Sequence, residues 1–178
     1  MKIVIINGVA RVGKDLFVTF CESLLGAERV ENYSTVDYVK AVAASVGWTG
    51  SKTDKDRKFL HNLKMALTEW DDIPLKKTKE AIIKFEQELS KLEEKYSKNA
   101  VIFIHCREPL EIERLKQEFG AETLLIRREI AERNMWTNAA DQGVYDYQYD
   151  CIVDNNGTLD ELRLSAETYL TEVLKLDI

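Results

Sequence analysis

Two glycines five positions apart, followed directly by a lysine, stand between an apolar run and an amphipathic pattern near the start of the chain. The spacing is Gly8-x-x-x-x-Gly13-Lys14. Backbone N–H groups of such a loop converge on an anion, the following helix adds its positive end, and the lysine ammonium reaches the β- and γ-phosphates. The pattern therefore predicts a phosphate-binding loop. Its residues are Gly8, Val9, Ala10, Arg11, Val12, Gly13, Lys14, Asp15 and Leu16.

The residue after Lys14 bears on how a metal ion is held. A Ser or Thr hydroxyl usually ligates Mg²⁺ at this position, whereas here Asp15 stands there and Leu16 follows. A carboxylate serves Mg²⁺ directly or through bound water, although it adds negative charge beside a triphosphate. The nearest carboxylate after the next buried strand is Glu108. We therefore expect Asp15 and Glu108 to be the metal ligands.

His105 and Cys106, which lie shortly before Glu108, can each be interpreted in two ways. His105 and Cys106 directly follow a strongly apolar run. We interpret them as packed side chains at the end of a strand, and a catalytic base and a nucleophile are the alternatives.

Three arginines follow another predicted strand. Arginines that close over a nucleotide stabilise charge on a phosphoryl group during transfer, which would make them catalytic together with Lys14 and Arg11. A polar stretch after them suits a lid over about 127–145. The alternative is an ordinary helix in which Glu129, Glu132 and Arg133 pair across one face. The arginines are Arg127, Arg128 and Arg133.

Two polar clusters could hold a phosphoryl acceptor. The first offers hydroxyl, carboxylate and ammonium groups at a predicted helix start. The second is a glycine-containing turn with an aromatic ring for stacking and cations for a phosphate. A capped helix start and an exposed turn are the alternative interpretations. The candidate substrate-binding residues are Ser34, Asp37 and Lys40 in the first cluster, and Trp48, Lys52 and Arg57 in the second.

These residues need a scaffold, and the apolar runs of the chain predict one. Amphipathic helical patterns over 14–25 and 110–119 are each followed by a glycine that can end a helix. A last helix begins near Thr158, with Glu161 completing a capping box. Strands that alternate with helices predict a parallel sheet. The predicted strands are 2–6, 29–33, 100–104, 123–126 and 151–153.

A helical block fills the interval from about 34 to 97. Breaks near 47–50 and 71–74 divide it into three helices. The last carries an apolar stripe, which predicts an amphipathic helix packed on the domain. A coiled coil between two copies is the alternative. The stripe consists of Ile82, Phe85, Leu89, Leu92 and Tyr96.

Composition narrows the class of protein. A chain of 178 residues with 45% hydrophobic residues predicts one domain over 1–178. A net charge of −6 argues against general nucleic-acid binding. Three cysteines without a C-x-x-C pair predict reduced thiols in a cytoplasmic protein rather than a disulfide framework or a zinc site. The absence of an 18-residue apolar window predicts that no segment spans a membrane.

Together these motifs resemble the P-loop nucleoside monophosphate kinases, in particular the deoxynucleoside monophosphate kinases of phages and their bacterial relatives, and more distantly phosphomevalonate kinase. The resemblance covers most of the chain and depends on the order and spacing of its motifs. Leu16 departs from the hydroxyl residue that often follows the Asp in this group. The motifs are Gly8-x4-Gly13-Lys14-Asp15, the stretch from Ser34 to Lys40, Gly47-Trp48-Thr49-Gly50-x-Lys52 with Arg57, Arg107-Glu108-Pro109-x-Glu111, the arginines after Ile126, and Tyr149-Asp150-x-Ile152-Val153-x-Asn155-Asn156-Gly157-Thr158-Leu159.

The resemblance implies a three-layer α/β/α sandwich with a central parallel sheet of about five strands. It also implies an inserted helical acceptor region at about 34–97, an arginine-bearing lid, and ATP with Mg²⁺ as cofactors. The residues it assigns are Asp37, Lys40 and Arg57 facing the acceptor, Arg107 at a phosphate beside the central strand, and Asn155 and Gly157 near the adenine.

The leading hypothesis is ATP-dependent phosphoryl transfer to a small phosphorylated acceptor, most simply a nucleoside or deoxynucleoside monophosphate. An acceptor phosphate is already an anionic nucleophile, so the reaction needs no general base. A nucleotide-binding sensor without turnover is the first alternative, and a structural protein that assembles through the helix 75–97 is the second. The expected partner is a small nucleotide, with neither nucleic acid nor membrane, and the protein is expected to be a monomer or a homodimer.

Overall fold

A computed structural model describes residues 1–133 and 143–178. Its strands are β1 (Lys2–Asn7), β2 (Val30–Ser34), β3 (Val101–His105), β4 (Glu122–Arg127) and β5 (Cys151–Asp154). They form a five-stranded sheet in the order β2-β3-β1-β4-β5. The pairings of β1 with β3, of β1 with β4 and of β4 with β5 are parallel. Every predicted strand is present, with its bounds shifted by no more than one residue.

The helices begin and end largely where the sequence signals predict. Gly26 and Gly120 end the first and sixth helices, and a capping box between Thr158 and Glu161 starts the eighth. Among the described residues, no helix combines the length and the apolar character needed to cross a bilayer. The helices are α1 (Lys14–Leu25), α2 (Asp37–Ser45), α3 (Asp54–Asp71), α4 (Ile73–Leu89), α5 (Glu94–Lys98), α6 (Pro109–Phe119), α7 (Glu129–Glu132) and α8 (Leu159–Thr168), which a π-helical turn, Tyr169–Val173, continues.

The helical block differs from the prediction at its end. The predicted helix 75–97 is two helices, because a turn at 90–93 separates α4 from α5. The hydroxyl of Ser90 donates to the carbonyl of Gln87 at 2.7 Å, a local bond that competes with continued helix. Part of the predicted stripe is buried within the chain, as expected for a helix packed on the domain. Its buried residues are Ile82, Phe85 and Leu89.

Helices cover both faces of the sheet. Consecutive side chains of a strand point to opposite faces, and Val4, Ile5 and Ile6 of β1 are all 0% exposed. On one face, the ring of Phe17 from α1 lies edge-on to the ring of Phe103 from β3, with centroids 6.3 Å apart. The connection from β3 to β4 contains α6 and runs across the sheet in the direction opposite to the connection from β1 to β2, which contains α1. Right-handed crossovers therefore put α6 on the other face, which confirms the three-layer α/β/α architecture.

The chain divides into two compact units. The first comprises Met1–Asn32 and Phe85–Ile178, and the second is Tyr33–Lys84. Within the second unit, α2 buries Val39 and Ala43. This helical unit overlaps the predicted acceptor region, whose role stays a prediction, as does the single domain over 1–178.

The carboxyl ends of the strands meet at one edge of the sheet. The register pairs Ile6 with His105 and Arg127 with Asp154. The connection that leaves β1 runs past β3 to β2, whereas the connection that leaves β3 runs past β1 to β4, so the strand order reverses between β1 and β3. Open α/β sheets bind their ligands beyond the strand ends at this point.

Candidate functional site

The loop between β1 and α1 needs its two glycines. Gly8 has a φ of 146° and Gly13 a φ of 99°. A Cβ added to Gly8 would lie 2.4 Å from the backbone oxygen of Ile126, and one added to Gly13 would lie 2.6 Å from Nδ2 of Asn155. Neither position has room for a side chain, and L-residues rarely adopt these φ values. The loop is therefore fixed in its shape by close neighbours from β4 and from the segment after β5.

The loop leads into an uncapped helix terminus. The N-cap of α1 is Gly13, which makes no side-chain hydrogen bond to the first turn. The N–H groups there carry the positive end of the helix dipole, which favours an anion. Val9 and Val12 are buried and anchor the loop, whereas Ala10 and Arg11 are exposed. The arrangement has the features of an anion-binding cradle.

Lys14 closes the loop on itself. Its ammonium donates to the carbonyl oxygens of Gly8 at 2.6 Å and Val9 at 3.0 Å. Its charge therefore lies over the loop, as the spacing predicts. A phosphate oxygen is a stronger acceptor for an ammonium than a neutral carbonyl, because its negative charge adds Coulomb attraction to the hydrogen bond.

Asp15 presents its carboxylate to solvent from the first turn of α1. Its side chain is 92% exposed, and Oδ1 lies 3.9 Å from Nε2 of His105 at the end of β3. The same Nε2 lies 2.7 Å from Oδ1 of Asn32. An exposed carboxylate fits Mg²⁺, which takes one or two carboxylates and keeps several of its waters. Asp15 is therefore compatible with the metal role predicted for it, and His105 is the neighbour brought to it by the fold.

Glu108, the other predicted metal ligand, belongs to a different group. It is the N-cap of α6, and its carboxylate lies with Cys106 and Glu111, all their ligand atoms being within 4.8 Å of one another. The thiol of Cys106 donates to Oε2 of Glu111 at 3.1 Å. The role of Glu108 as a metal ligand stays a prediction.

Two of the three arginines, Arg127 at the end of β4 and Arg133 after α7, make ion pairs with nearby glutamates. Arg127 donates through Nε and Nη2 to the two carboxylate oxygens of Glu132, at 3.0 and 3.1 Å. This bidentate bond lowers the pKa of Glu132 and raises the pKa of Arg127. Arg133 lies 3.9 Å from Glu129. The contact of Arg133 with Glu129 matches the helix interpretation of the segment, whereas Glu132 pairs with Arg127 at the end of β4.

The catalytic role of these residues stays a prediction. Arg128 is the N-cap of α7 and has an extended backbone. The predicted lid over about 127–145 lies partly outside the described residues, which include its positions 127–133 and 143–145.

Asn155 links the end of β5 to the glycine loop. Its side-chain Nδ2 donates to the carbonyl of Val12 at 2.8 Å, and its backbone N–H donates to the carbonyl of Arg127 at 2.7 Å. The side chain is buried, so these bonds form away from solvent. A Cβ on Gly157 would lie 2.0 Å from Oε2 of Glu161. The fold thus brings Asn155 to the loop that the sequence predicts, while contact of Asn155 and Gly157 with adenine stays a prediction.

The predicted acceptor residues of the first cluster form a local network. The carboxylate of Asp37 accepts from the backbone N–H of Ser34 at 3.1 Å and from Nζ of Lys40 at 2.8 Å. The N-cap of α2 is Val36, which makes no side-chain cap hydrogen bond, so the interpretation as a helix start capped by Ser34 or Thr35 is wrong. The bonds of Asp37 nevertheless hold three polar groups together.

The second cluster is less tightly joined. Arg57 lies 3.7 Å from Asp54 on the same helix, and Lys52 is exposed. Trp48 is half-buried, and its Nε1 finds no hydrogen-bond partner within the described part of the chain. The capping box of α3, between Thr53 and Asp56, follows directly. All six residues of the two clusters belong to the unit Tyr33–Lys84, whereas Arg107 belongs to the other unit.

Sequence reasoning missed two polar residues beside the loop. Asn7 is 1% exposed at the end of β1, and Tyr149 is 9% exposed before β5. Asn7 Nδ2 donates to the hydroxyl of Tyr149 at 2.6 Å. A polar residue that ends a wholly apolar strand was a signal for Asn7. Tyr149 entered the resemblance only as the first residue of the motif near the carboxyl end, with no role assigned to it.

No protein-family profile matches the chain, and no curated protein sequence does. Solved structures with a similar trace include three kinases. A sugar kinase from Janibacter sp. is 15% identical with a TM-score of 0.48, over 96% of this chain and 94% of that one. A shikimate kinase from Bacteroides thetaiotaomicron is 15% identical with a TM-score of 0.47, over 98% and 99%. A thymidylate kinase from Ehrlichia chaffeensis is 10% identical with a TM-score of 0.42, over 95% and 98%. At these values the likeness does not extend to activity or substrate.

Proposed function

We propose that the loop 8–14 binds the phosphates of ATP and that the protein transfers the γ-phosphoryl group to a small phosphorylated acceptor. The acceptor is most simply a nucleoside or deoxynucleoside monophosphate. The observation that carries the proposal is the loop itself, in which two glycines at positive φ lead into an uncapped helix terminus under the ammonium of Lys14. Each of these features favours an anion of several oxygens.

Lys14 has the central role in this proposal. Its Nζ exchanges the carbonyl oxygens of Gly8 and Val9 for β- and γ-phosphate oxygens, a change from neutral to anionic acceptors. Arg11, exposed within the loop, adds a second cation beside the same phosphates. Both charges stabilise negative charge that spreads over the γ-phosphoryl oxygens during transfer.

The acceptor supplies its own nucleophile. A phosphate oxygen of a monophosphate is anionic near neutral pH, so the protein has to align it with the γ-phosphorus rather than remove a proton from it. In the proposal, the polar residues of the unit Tyr33–Lys84 bind this acceptor, and Arg107 contacts a phosphate at the head of the central strand. Those polar residues are Ser34, Asp37, Lys40, Trp48, Lys52 and Arg57.

Asp15 is the residue that would hold Mg²⁺. Its carboxylate is 92% exposed on the first turn of α1, next to the residue whose ammonium lies over the loop. When bound with ATP, Mg²⁺ neutralises charge on the β- and γ-phosphate oxygens. A carboxylate in place of a neutral hydroxyl adds a negative charge there, which Arg11 and Lys14 offset.

A coupled assay of ADP release tests the proposal. Purified protein is incubated with ATP, Mg²⁺ and a panel of ribonucleoside and deoxynucleoside monophosphates. We expect ADP release that depends on one acceptor or a few. Lys14→Ala should lower kcat/KM by about 10²–10³-fold, the loss typical of one removed charge-stabilising donor. Lys98→Ala is the matched control, since Lys98 is 73% exposed and its ammonium pairs with Glu94 of the same short helix.

A nucleotide-binding sensor without turnover is the second candidate. It is favoured by the residue after Lys14, at the position where a Ser or Thr hydroxyl usually ligates Mg²⁺. Asp15 stands there, and Leu16 after it offers no hydroxyl either. Binding of a non-hydrolysable ATP analogue without acceptor-dependent ADP release would overturn the kinase proposal in favour of the sensor. If the analogue does not bind, both candidates are overturned.

A further inference from the structure

A buried side-chain amide joins three parts of the molecule at the start of the phosphate loop. The carboxamide oxygen of Asn7 accepts from the backbone N–H of Gly8 at 2.7 Å. Its Nδ2 donates to the hydroxyl of Tyr149 at 2.6 Å and to the carbonyl of Arg107 at 3.3 Å. The amide therefore uses its oxygen and both of its N–H groups, which is the full donor capacity of an asparagine side chain.

The chain of bonds continues beyond Asn7. The hydroxyl of Tyr149 donates its proton to the carbonyl of Val144 at 2.8 Å. Burial raises the pKa of Tyr149 to about 12, so the phenol keeps this proton near neutral pH. Donors and acceptors thus alternate in one direction, from Gly8 through Asn7 and Tyr149 to Val144, and bonds that share such a chain strengthen one another.

We infer that Tyr149, acting through Asn7, is a positioning residue for nucleotide binding at the loop 8–14. The direction of the Gly8 N–H is set by the Asn7 oxygen, and the orientation of the Asn7 amide is set by its bonds to Tyr149 and Arg107. Gly8 cannot shift freely, because the backbone oxygen of Ile126 packs so closely against it that a Cβ on Gly8 would lie only 2.4 Å from that oxygen. The inference depends on the proposed function only in requiring that the loop binds a nucleotide.

The same amide holds the segment after β3. The carbonyl of Arg107 accepts from Asn7, so a rotation of the amide would act on Gly8 and on Arg107 together. Loss of the Tyr149 hydroxyl leaves one N–H of Asn7 without its partner in a site that is 1% exposed. A buried amide N–H without an acceptor costs free energy, so the Asn7 amide rotates toward another acceptor. This rotation redirects the Gly8 N–H.

Tyr149→Phe tests the inference, with Tyr147→Phe as the matched control. Both variants keep the two rings, which lie edge-on at 5.1 Å, and each removes one hydrogen-bonded hydroxyl. The hydroxyl of Tyr147 donates to Glu113 at 2.8 Å and takes no part in the chain to Gly8. The affinity for a non-hydrolysable ATP analogue is measured by calorimetry, thermal unfolding reports stability, and the ¹H–¹⁵N signal of Gly8 reports its N–H.

We expect Tyr149→Phe to raise the Kd for the analogue roughly tenfold, the equivalent of one buried hydrogen bond, and to move the Gly8 signal. Tyr147→Phe should change neither. A role in stability alone would lower the melting temperature without a change in Kd. Wild-type affinity and an unmoved Gly8 signal in Tyr149→Phe would therefore overturn the inference.

A second variant covers the case in which Tyr149→Phe does not fold. Asn7→Ser keeps an oxygen near the Gly8 N–H but is one atom shorter and loses the amide donors to Tyr149 and Arg107. We expect the same weakening of analogue binding, and an unchanged Kd overturns the inference. If the wild-type protein does not bind the analogue, the proposed function fails as well, which is distinct from a variant that binds as tightly as the wild type.

Discussion

Replacing Gly8 with alanine should disturb the loop 8–14 more than the same replacement disturbs its surroundings at a glycine with open space around it. The new Cβ would lie 2.4 Å from the backbone oxygen of Ile126 and 2.8 Å from Cγ2 of Val12. Ile126 lies inside β4, where the register pairs it with Val153 of β5, so its carbonyl cannot move away without disturbing the sheet. The loop must therefore shift instead.

The expected cost has two parts. A non-glycine residue at a φ of 146° is strained by about 1–2 kcal/mol. Insertion of an extra methyl group into a tightly packed site costs typically about 1–3 kcal/mol. Together they lower the free energy of unfolding by about 2–5 kcal/mol, which in a domain of this size lowers the melting temperature by roughly 4–20 °C. Typical domain stability is about 5–15 kcal/mol, so the variant should still fold.

Gly120→Ala is the matched control. Gly120 also has a positive φ, of 60°, but a Cβ there would meet nothing within 4 Å. Only the conformational strain remains, about 1–2 kcal/mol, with no clash to add to it. Urea unfolding gives the stability of both variants, and calorimetry with a non-hydrolysable ATP analogue gives their affinity. Gly8→Ala should bind at least about tenfold more weakly, or about 1.4 kcal/mol, whereas Gly120→Ala should bind as the wild type does. Equal stability and equal affinity of the two variants would refute the close-packing argument for the loop.

Two further predictions concern the segments that support the loop. Asn155→Ala removes the buried bond from Nδ2 to the Val12 carbonyl and should cost about 1–3 kcal/mol in urea unfolding, more than Asn156→Ala at the exposed neighbouring position. Glu132→Gln should lower stability at pH 7, and this loss of stability should shrink as the pH falls from 4.5 through the lowered pKa of Glu132. The Arg127 bond holds the folded pKa of Glu132 below its ordinary 4.5, so the stabilisation is present above that value and is lost as the pH falls below it. A constant difference between wild type and Glu132→Gln across this pH range, measured by urea unfolding, would contradict the assignment.

The fold was largely predictable because local patterns agree with one another. Apolar runs with no alternation predict strands buried on both faces, and each of the five is found within one residue of its predicted bounds. Helices α1 and α6 end at Gly26 and Gly120, because the backbone there has a positive φ that glycine adopts readily. The prediction failed at 90–93, where Ser90 bonds back to the preceding turn, because helical periodicity alone does not register such local competition.

Only the part of the candidate site that is contiguous in the sequence could be predicted. The glycine spacing and Lys14 are contiguous in sequence, so their geometry follows from one strand, one loop and one helix. The neighbours of Asp15 were not predictable, since His105 reaches it only through the pairing of β1 with β3. In the same way, the bidentate bond between Arg127 and Glu132 depends on side-chain directions that a list of charges leaves open.

The sequence alone predicted a loop with the glycine spacing of a phosphate-binding loop and the individual strands and helices of the fold, because each of these elements is encoded by residues close together along the chain. Tertiary structure alone decided what surrounds the loop. Asn155 contacts it from 143 positions away and Tyr149 reaches Asn7 from 142 positions away. Such contacts depend on which strands become neighbours and in which register, and a one-residue shift would turn each side chain to the opposite face.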